Sequence, residues 1–378
     1  QRHTMGLRPF GLYLSGGLDS TIILHELAKE SKDLINTYTT RFETKQKELN
    51  EDADAAKRLT NDYKINHHEL IVTEKDFINA TEKTIETLEE PRYNFSVPAY
   101  WLLAQHASRD ITVILNGSGG DELFLGYDRY LESLKLSHRY QKHISPLFDL
   151  WHTAAAIRKK HTNLGQSPHL NRSYDRWAYL NRIVPLLSSD IYKLANHFGY
   201  VKVAKYIESL KYPDMQNLMP DPENTIAYMD RKLWLADEEF IRTDKIAMNF
   251  GMEGRFPFLA RDVVEYAEGI ESSEKLKGGA TKALVRGAYR GHLPDYIIDK
   301  SKTGWYAPVV EWMNSDYGKM VREVLSDDYY KETAELFDLN NLRKKHIDDV
   351  SHFTRGNIKR FMSIMNFQIW ARAFKIQL

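Results

Sequence analysis

The chain has 378 residues, 42% apolar and 28% charged, the make-up of an ordinary globular protein with room for one large domain or two modest ones. Lys and Arg total 52 and Asp and Glu total 52, so overall charge selects neither nucleic acid nor an anionic membrane as a partner. There is no cysteine, which excludes disulfides, thiolate metal sites and a cysteine nucleophile within the chain and suits a reducing, cytoplasmic setting. No apolar run approaches the length of a membrane span, and no signal peptide precedes the first strand. Residue 1 is Gln and the first strand begins within ten residues, which points to a processed or truncated protein with a segment missing upstream.

Taken in order, residues 10–14 (F-G-L-Y-L) predict a buried strand. The loop Ser15-Gly16-Gly17-Leu18-Asp19-Ser20 follows, and residues 21–29 predict a helix with Ile22, Ile23, Leu24, Leu27 and Ala28 available for burial. A second strand is expected over 34–42, a helix over 50–63 and a third strand over 65–72, with Thr73 placed to cap what comes next. Residues 97–107 predict an apolar helix. The I-T-V-I-L of 111–115 predicts a fourth strand too continuous to be half exposed. This alternation predicts an α/β fold, a parallel sheet with helices on both faces, whose ligands bind at the carboxyl ends of the strands. Residues 129–243 have a helical texture with scattered aromatics, including Tyr140, Trp151 and Trp177, and loop-like patches at 162–173 and 212–224. Residues 240–310 are denser in Gly and Pro. Residues 343–378 predict an amphipathic helix whose Met and aromatic stripe faces a core. The expected organisation is an α/β core over 1–128 and a mostly helical part over 129–378 that completes the same active site.

Two loops carry the chemistry. The first, S-G-G-L-D-S, joins a strand to a helix N-terminus. There the glycines let backbone N–H groups approach a phosphate and the helix start adds partial positive charge. Ser15 and Ser20 add hydroxyl donors. Asp19 repels phosphate unless a cation lies between, which implies Mg²⁺. Neither G-x-x-x-x-G-K-S/T nor G-x-G-x-x-G is present. The second loop, Asn116-Gly117-Ser118-Gly119-Gly120-Asp121-Glu122, again follows a strand and again places an acid at a helix start. On one parallel sheet the two units face each other, and Asp19 and Asp121 can share Mg²⁺ on one triphosphate.

The first loop resembles the pyrophosphate loop of the N-type ATP pyrophosphatases, which cleave ATP between its α and β phosphates. The pair together resembles the synthetase domain of the asparagine synthetase family. S-G-G-L-D-S matches that family's first motif without change. The second motif, roughly G-E/D-G-S/A-D-E-L/V-F-x-G-Y, is matched by Gly117, Gly119, Asp121, Glu122, Leu123, Phe124, Gly126 and Tyr127. Residues 252–259 (M-E-G-R-F-P-F-L) are similar to L-E-x-R-x-P-F-L-D. Residues 299–305 (D-K-S-K-T-G-W) sit where the family has a Lys-bearing loop, and 367–370 (F-Q-I-W) look like the terminal L-E-L-W. The resemblance implies ATP and Mg²⁺, a carboxylic acid activated as an acyl-adenylate with release of pyrophosphate, and a nitrogen nucleophile that then forms an amide. It implies that Ser15, Gly16, Gly17, Asp19 and Ser20 hold pyrophosphate, that Asp19 and Asp121 hold the metal, and that Thr40, Asn116 and Gly117 contact the adenosine. Lys302 matches the lysine that steadies transition-state charge.

Two positions depart from the pattern. Ser118 stands where asparagine synthetases carry an acidic residue and β-lactam-forming relatives carry Tyr, at the position linked to the nucleophile's proton. Serine is a poor base without a partner. Either another group does that work, the nucleophile needs no base, or the acceptor differs. Ala260 replaces the Asp that usually follows P-F-L. The glutaminase domain of glutamine-using members begins with a catalytic Cys, so here its removal, or its supply by another chain, is expected. The rival functions are a specialised amidotransferase or cyclase on a sugar acid, peptide or secondary metabolite, and a nucleotide-binding subunit without catalysis. Among other residues, His67 and His68 point to opposite faces of a strand and have structural roles. Glu253 and Arg255 are expected as a buried ion pair beside the site. Lys282, in T-K-A-L-V-R, faces either phosphates or solvent. The basic C-terminal stretch, with eight Lys/Arg against two Asp over 341–378, is expected as a solvated surface.

Overall fold

This computed structural model describes residues 2–131 and 222–377, apart from 7, 32, 93, 95, 303, 334, 335 and 349–354. The aromatics and loop patches expected between 132 and 221 lie outside the described residues.

Five strands form one parallel sheet: β1 (Phe10–Tyr13), β2 (Ile35–Phe42), β3 (Ile65–Val72), β4 (Val113–Leu115) and β5 (Glu253–Arg255). Their order is β3-β2-β1-β4-β5. Gly11 of β1 pairs with Asn36 of β2 on one side and Ile114 of β4 on the other. The chain therefore leaves β1 toward β2 and β3, then returns to the opposite side of β1 as β4. The change of direction between β1 and β4 is a topological switch point, at whose carboxyl ends doubly wound sheets bind ligands.

Side chains alternate between the two faces of the sheet, and the central strands are buried on both. Leu12, Leu14, Val113 and Leu115 pack against Ile22, Ile23, Leu24 and Leu27 of α1 (Leu18–Glu30) and Ala56 of α2 (Glu51–Arg58). Tyr13, Tyr38 and Ile114 face the other way. They meet Ala80 and Leu88 of α3 (Glu74–Leu88) and Tyr100, Trp101 and Ala104 of α4 (Val97–Ala107). Burying each large apolar side chain stabilises the fold by about 1.5–3 kcal/mol. Thr73 caps α3 as expected, through a reciprocal box with Asp76 in which Asp76 N donates to Thr73 Oγ1 at 3.1 Å.

The C-terminal part continues this core. After the second loop comes a short helix, α5 (Gly120–Phe124), and after residue 221 a π-helical stretch, Asp230–Phe240, leads into α6 (Ile241–Asn249). The T-K-A-L-V-R segment forms α7 (Ala283–Tyr289). Farther on, α8 (Asp316–Val324) and α9 (Arg355–Ala373) enclose a third cluster with Phe42, Phe77 and Trp312. Phe361, Met362, Ile364, Met365 and Ile369 of α9 are all buried there, so the Met and aromatic stripe is core, as its spacing predicted.

The expected 50–63 helix, 111–115 strand and 343–378 helix are shorter, at Glu51–Arg58, Val113–Leu115 and Arg355–Ala373, and three further differences bear on the site. Helix α1 begins at Leu18 rather than 21, because Gly16 makes the turn at φ +68° and Gly17 caps the helix in an extended conformation. Asp19 and Ser20 therefore lie in its first turn. Strand β5 was not foreseen: E-G-R has no apolar run, and it joins as the edge strand beside β4. For the same reason Glu253 and Arg255 are not a buried ion pair. Arg255 Nε donates to Glu253 Oε1 at 2.9 Å, but the Glu253 side chain is 61% exposed. Arg255 also donates to the carbonyls of His3 and Met5, tying the first residues to the sheet edge.

Candidate active site

Loops one and two leave adjacent strands, and glycines let them touch. A Cβ on Gly117 would meet Asp19 Cβ and Ser20 N, each at 3.2 Å. One on Gly120 would press on the Asp19 carboxyl at 2.7 Å. Gly16 is equally confined: its Cβ would strike the backbone of α2, with Ala56 N at 2.6 Å. Within the first loop the side chains face inward. Ser15 Oγ lies 3.0 Å from Ser20 Oγ and accepts from Gly17 N at 3.3 Å, and Thr21 Oγ1 donates to Gly17 O at 2.8 Å. No side chain caps α1, so its first N–H groups remain available to an anion.

Asp19 and Asp121 meet at one point. The Lys282 ammonium lies between them, donating to Asp19 Oδ2 and standing 2.5 Å from Asp121 Oδ1. Lys302 Nζ donates to Asp121 Oδ2 at 2.7 Å. Burial opposes ionisation of Asp121, but the two ammoniums outweigh it and hold its carboxyl well below the usual range. Asp19 moves the other way: burial raises it, with Lys282 opposing. The same carboxylates keep Lys302 firmly protonated despite its burial cost. Next to this cluster Glu122 is enclosed. Burial, reinforced by the Asp121 charge, pushes its carboxyl up to about 7, and Tyr127 Oη donates to it at 2.7 Å.

The loop bearing Lys302 is clamped from behind by Arg286. Its guanidinium donates to the carbonyls of Thr281 and Lys300, each at 3.0 Å, and to that of Ile298. Lys300 pairs with Asp52 of α2. Thus T-K-A-L-V-R supplies one lysine to the site and fixes the loop that supplies the other.

Asn116 and Ser118 face a different wall. Asn116 Oδ1 accepts from Ser118 N and Ser118 Oγ, both at 2.9 Å, and Ser118 Oγ also lies 2.9 Å from Glu239 Oε1. The other Glu239 oxygen receives the buried Arg242 guanidinium, which donates to Glu238 as well. Glu239 comes from the π-helical stretch, a wide turn often found at functional sites. Thr40, at the carboxyl end of β2, has a buried hydroxyl with no hydrogen-bond partner among the described residues. The site thus brings together Ser15, Gly16, Gly17, Asp19, Ser20, Gly117, Asp121 and Lys302. It resolves Lys282 toward the loops rather than solvent and adds Arg286, Glu239 and Arg242. The Glu239–Arg242 spacing of i, i+3 on a helix was the available signal for that last pair.

His67 and His68 stand apart in structural roles. His67 Nδ1 bonds Thr37 Oγ1 at 2.9 Å, and the His68 ring stacks on Tyr38 at 4.8 Å. Among the described residues no group of three or more His, Asp or Glu stands ready for a metal. Asp19 Oδ1 is nevertheless buried without a hydrogen-bond donor, while Asp121 Oδ1 meets only the Lys282 ammonium. Two facing carboxylates, one with an oxygen left over, suit Mg²⁺, which would take its remaining ligands from phosphate and water. No helix among the described residues is long and apolar enough to cross a membrane.

A family profile described as asparagine synthase matches residues 1–372. The chain is 27% identical over 375 residues to glutamine-hydrolyzing asparagine synthetase 1 of Bacillus subtilis (strain 168), covering 96% of this chain and 56% of that protein. It is 24% identical over 356 residues to glutamine-hydrolyzing asparagine synthetase 3 of the same organism, covering 90% and 51%. The chain spans about half the length of the curated relatives it matches.

Proposed function

Since the chain belongs to the asparagine synthase family, we propose that it is an ATP-dependent ligase that activates a carboxylic acid as an acyl-adenylate and joins it to a nitrogen nucleophile. The observation that carries this reading is the convergence of both Gly-rich loops and the Lys302 loop on the Asp19–Asp121 pair. Free N–H groups at the start of α1, with Ser15 and Ser20, suit the β and γ phosphates. The unpartnered Thr40 hydroxyl and the Asn116–Gly117 backbone suit the nucleoside end.

In the first step a substrate carboxylate oxygen bonds to the α phosphorus and the bond to the β-phosphate oxygen breaks. Pyrophosphate leaves over the first loop. Asp19 and Asp121 would hold Mg²⁺, which would supply charge neutralisation for the departing pyrophosphate. Lys302, kept cationic by Asp121, serves to oppose the negative charge that builds on the reacting phosphate and later on the carbonyl oxygen. In the second step the nitrogen attacks the acyl carbon and AMP leaves, so the nitrogen must shed a proton.

Ser118 with Glu239 is fitted to take that proton. A lone serine hydroxyl is a weak base, but Ser118 Oγ can accept a proton while passing its own to Glu239. Arg242 holds the carboxylate in place. This answers the missing acidic residue of the second motif: the carboxylate comes from another segment. It favours catalysis over a purely nucleotide-binding subunit and leaves the acceptor an amine or ammonia, with a glutaminase domain or subunit as its possible source.

The test is pyrophosphate and AMP formation from ATP and Mg²⁺ over a panel of carboxylic acids, aspartate, sugar acids and peptides included, with and without ammonia. Pyrophosphate with one acid identifies the substrate. Measurable ATP binding without turnover on any acid, even after a glutaminase partner is added, sinks the ligase reading.

A further inference from the structure

Lys282 occupies the point where a cation shared by two carboxylates belongs. Its ammonium donates to Asp19 Oδ2 and stands 2.5 Å from Asp121 Oδ1. The side chain is 5% exposed. The seat is built for it: a Cβ on Gly126 would strike both Lys282 Cε and the Asp121 carboxyl. Lys282 also holds φ +53°, a left-handed conformation that a residue with a Cβ keeps only where its surroundings over-determine it.

The other charges facing this point are Lys302, bound to Asp121 Oδ2, with Glu122 beside Asp121 and Arg286 behind the Lys302 loop. Two ammoniums therefore balance two carboxylates, two against two. A divalent cation entering alone would leave two uncompensated positive charges in this enclosed cluster. A divalent cation arriving with pyrophosphate brings a net negative unit. Its phosphate oxygens then give both ammoniums new partners.

We infer that Lys282 is a resident counter-ion which makes metal binding conditional on phosphate: the Asp19–Asp121 pair refuses a free divalent cation and accepts one only as a metal–phosphate complex, to which Lys282 turns its ammonium. This rests on the pyrophosphate reading above for the identity of the anion, but not for the exclusion of free metal.

The experiment titrates the full chain with Mn²⁺, followed by electron paramagnetic resonance, with and without inorganic pyrophosphate. The wild type binds Mn²⁺ alone weakly and gains affinity when pyrophosphate is added. Lys282→Met binds Mn²⁺ alone at least about tenfold more tightly than wild type. Asp121→Asn abolishes that gain. Lys282→Met also loses most of the pyrophosphate-induced increase, whereas Lys282→Arg, which keeps the charge, still refuses free metal. A lysine with only a structural role would change the melting temperature without raising Mn²⁺ affinity. The inference is overturned if wild type and Lys282→Met bind free Mn²⁺ equally. Should Lys282→Met not fold, the wild type decides: tight Mn²⁺ binding without pyrophosphate, at a site that Asp121→Asn removes, overturns it. Weak Mn²⁺ binding by wild type, tight binding by Lys282→Met and no effect of pyrophosphate on either would support the resident counter-ion and overturn the pyrophosphate reading instead.

Discussion

Ser118 Oγ lies 2.9 Å from Glu239 Oε1, although 121 residues separate them in the chain. The hydroxyl has one proton and two acceptors, Asn116 Oδ1 and Glu239 Oε1. The carboxylate is itself fixed by Arg242, so Ser118 is held as a relay rather than a free side chain. If the pair handles the nucleophile's proton, Glu239→Gln should leave pyrophosphate release nearly intact and slow amide formation by about 10²–10⁴-fold. Ser118→Ala should act in the same direction with a smaller loss. Single-turnover assays that follow both products check this. A parallel fall in pyrophosphate release would assign Glu239 to the first step or to folding.

Lys302 reaches the site on a loop with its ammonium on Asp121, so its charge is positioned rather than free. Lys302→Ala should leave ATP affinity within a few-fold of wild type and lower adenylation by about 10²–10³-fold, the usual cost of removing one preorganised charge donor. Equilibrium ATP binding beside pyrophosphate release separates the two effects. Unchanged adenylation would remove Lys302 from the chemistry.

The parts of the site legible in the sequence were those written as local runs. Strands β1 and β4 are apolar because central parallel strands are covered on both faces, and each Gly-rich loop follows its strand directly. The rest depends on tertiary placement. Glu239 sits in a π-helical stretch whose side chains do not follow the ordinary helical period. Lys282 precedes α7 in a left-handed conformation that T-K-A-L-V-R does not announce, so helical spacing alone left its direction open. Glu253 and Arg255 read as a buried pair because they flank a motif, yet a three-residue edge strand leaves the glutamate in solvent. Long-range pairing decides such cases, and periodicity carries no record of it.

Gly16 tests the first loop without touching a charged group. It holds φ +68° and lies against α2, so Gly16→Ala combines a strained backbone with a collision at Ala56 N, 2.6 Å from the new methyl. The expected cost is about 1–3 kcal/mol of stability, together with weakened ATP binding as the loop moves away from α2. Gly17→Ala is the control, because its Cβ would meet only Ser15 Oγ at 3.3 Å. Chemical denaturation and nucleotide titration of both variants check the difference. Equal stability and equal ATP affinity for the two would show that the tight approach of loop one to α2 is not needed.

Glu122 gives the site a pH signature. Its carboxyl is pushed from an ordinary value of 4.5 up to about 7, so the folded chain binds this proton more tightly than the unfolded chain does. Between those values the unfolded state carries fewer protons at this group, and stability must fall as pH rises. The penalty is absent below about pH 4.5 and complete above about pH 7, on the order of 3 kcal/mol for a fully enclosed carboxyl. Asp19, also raised by burial, slopes the same way, so the comparison must be with a variant rather than with a flat line. Glu122→Gln keeps an acceptor for Tyr127 and removes the titration. Its melting temperature, measured from pH 4.5 to 7.5 against wild type, should match near the acid end and pull ahead toward neutrality. A constant offset at all pH values would mean that Glu122 stays ionised in the folded chain and that Tyr127 alone compensates its charge.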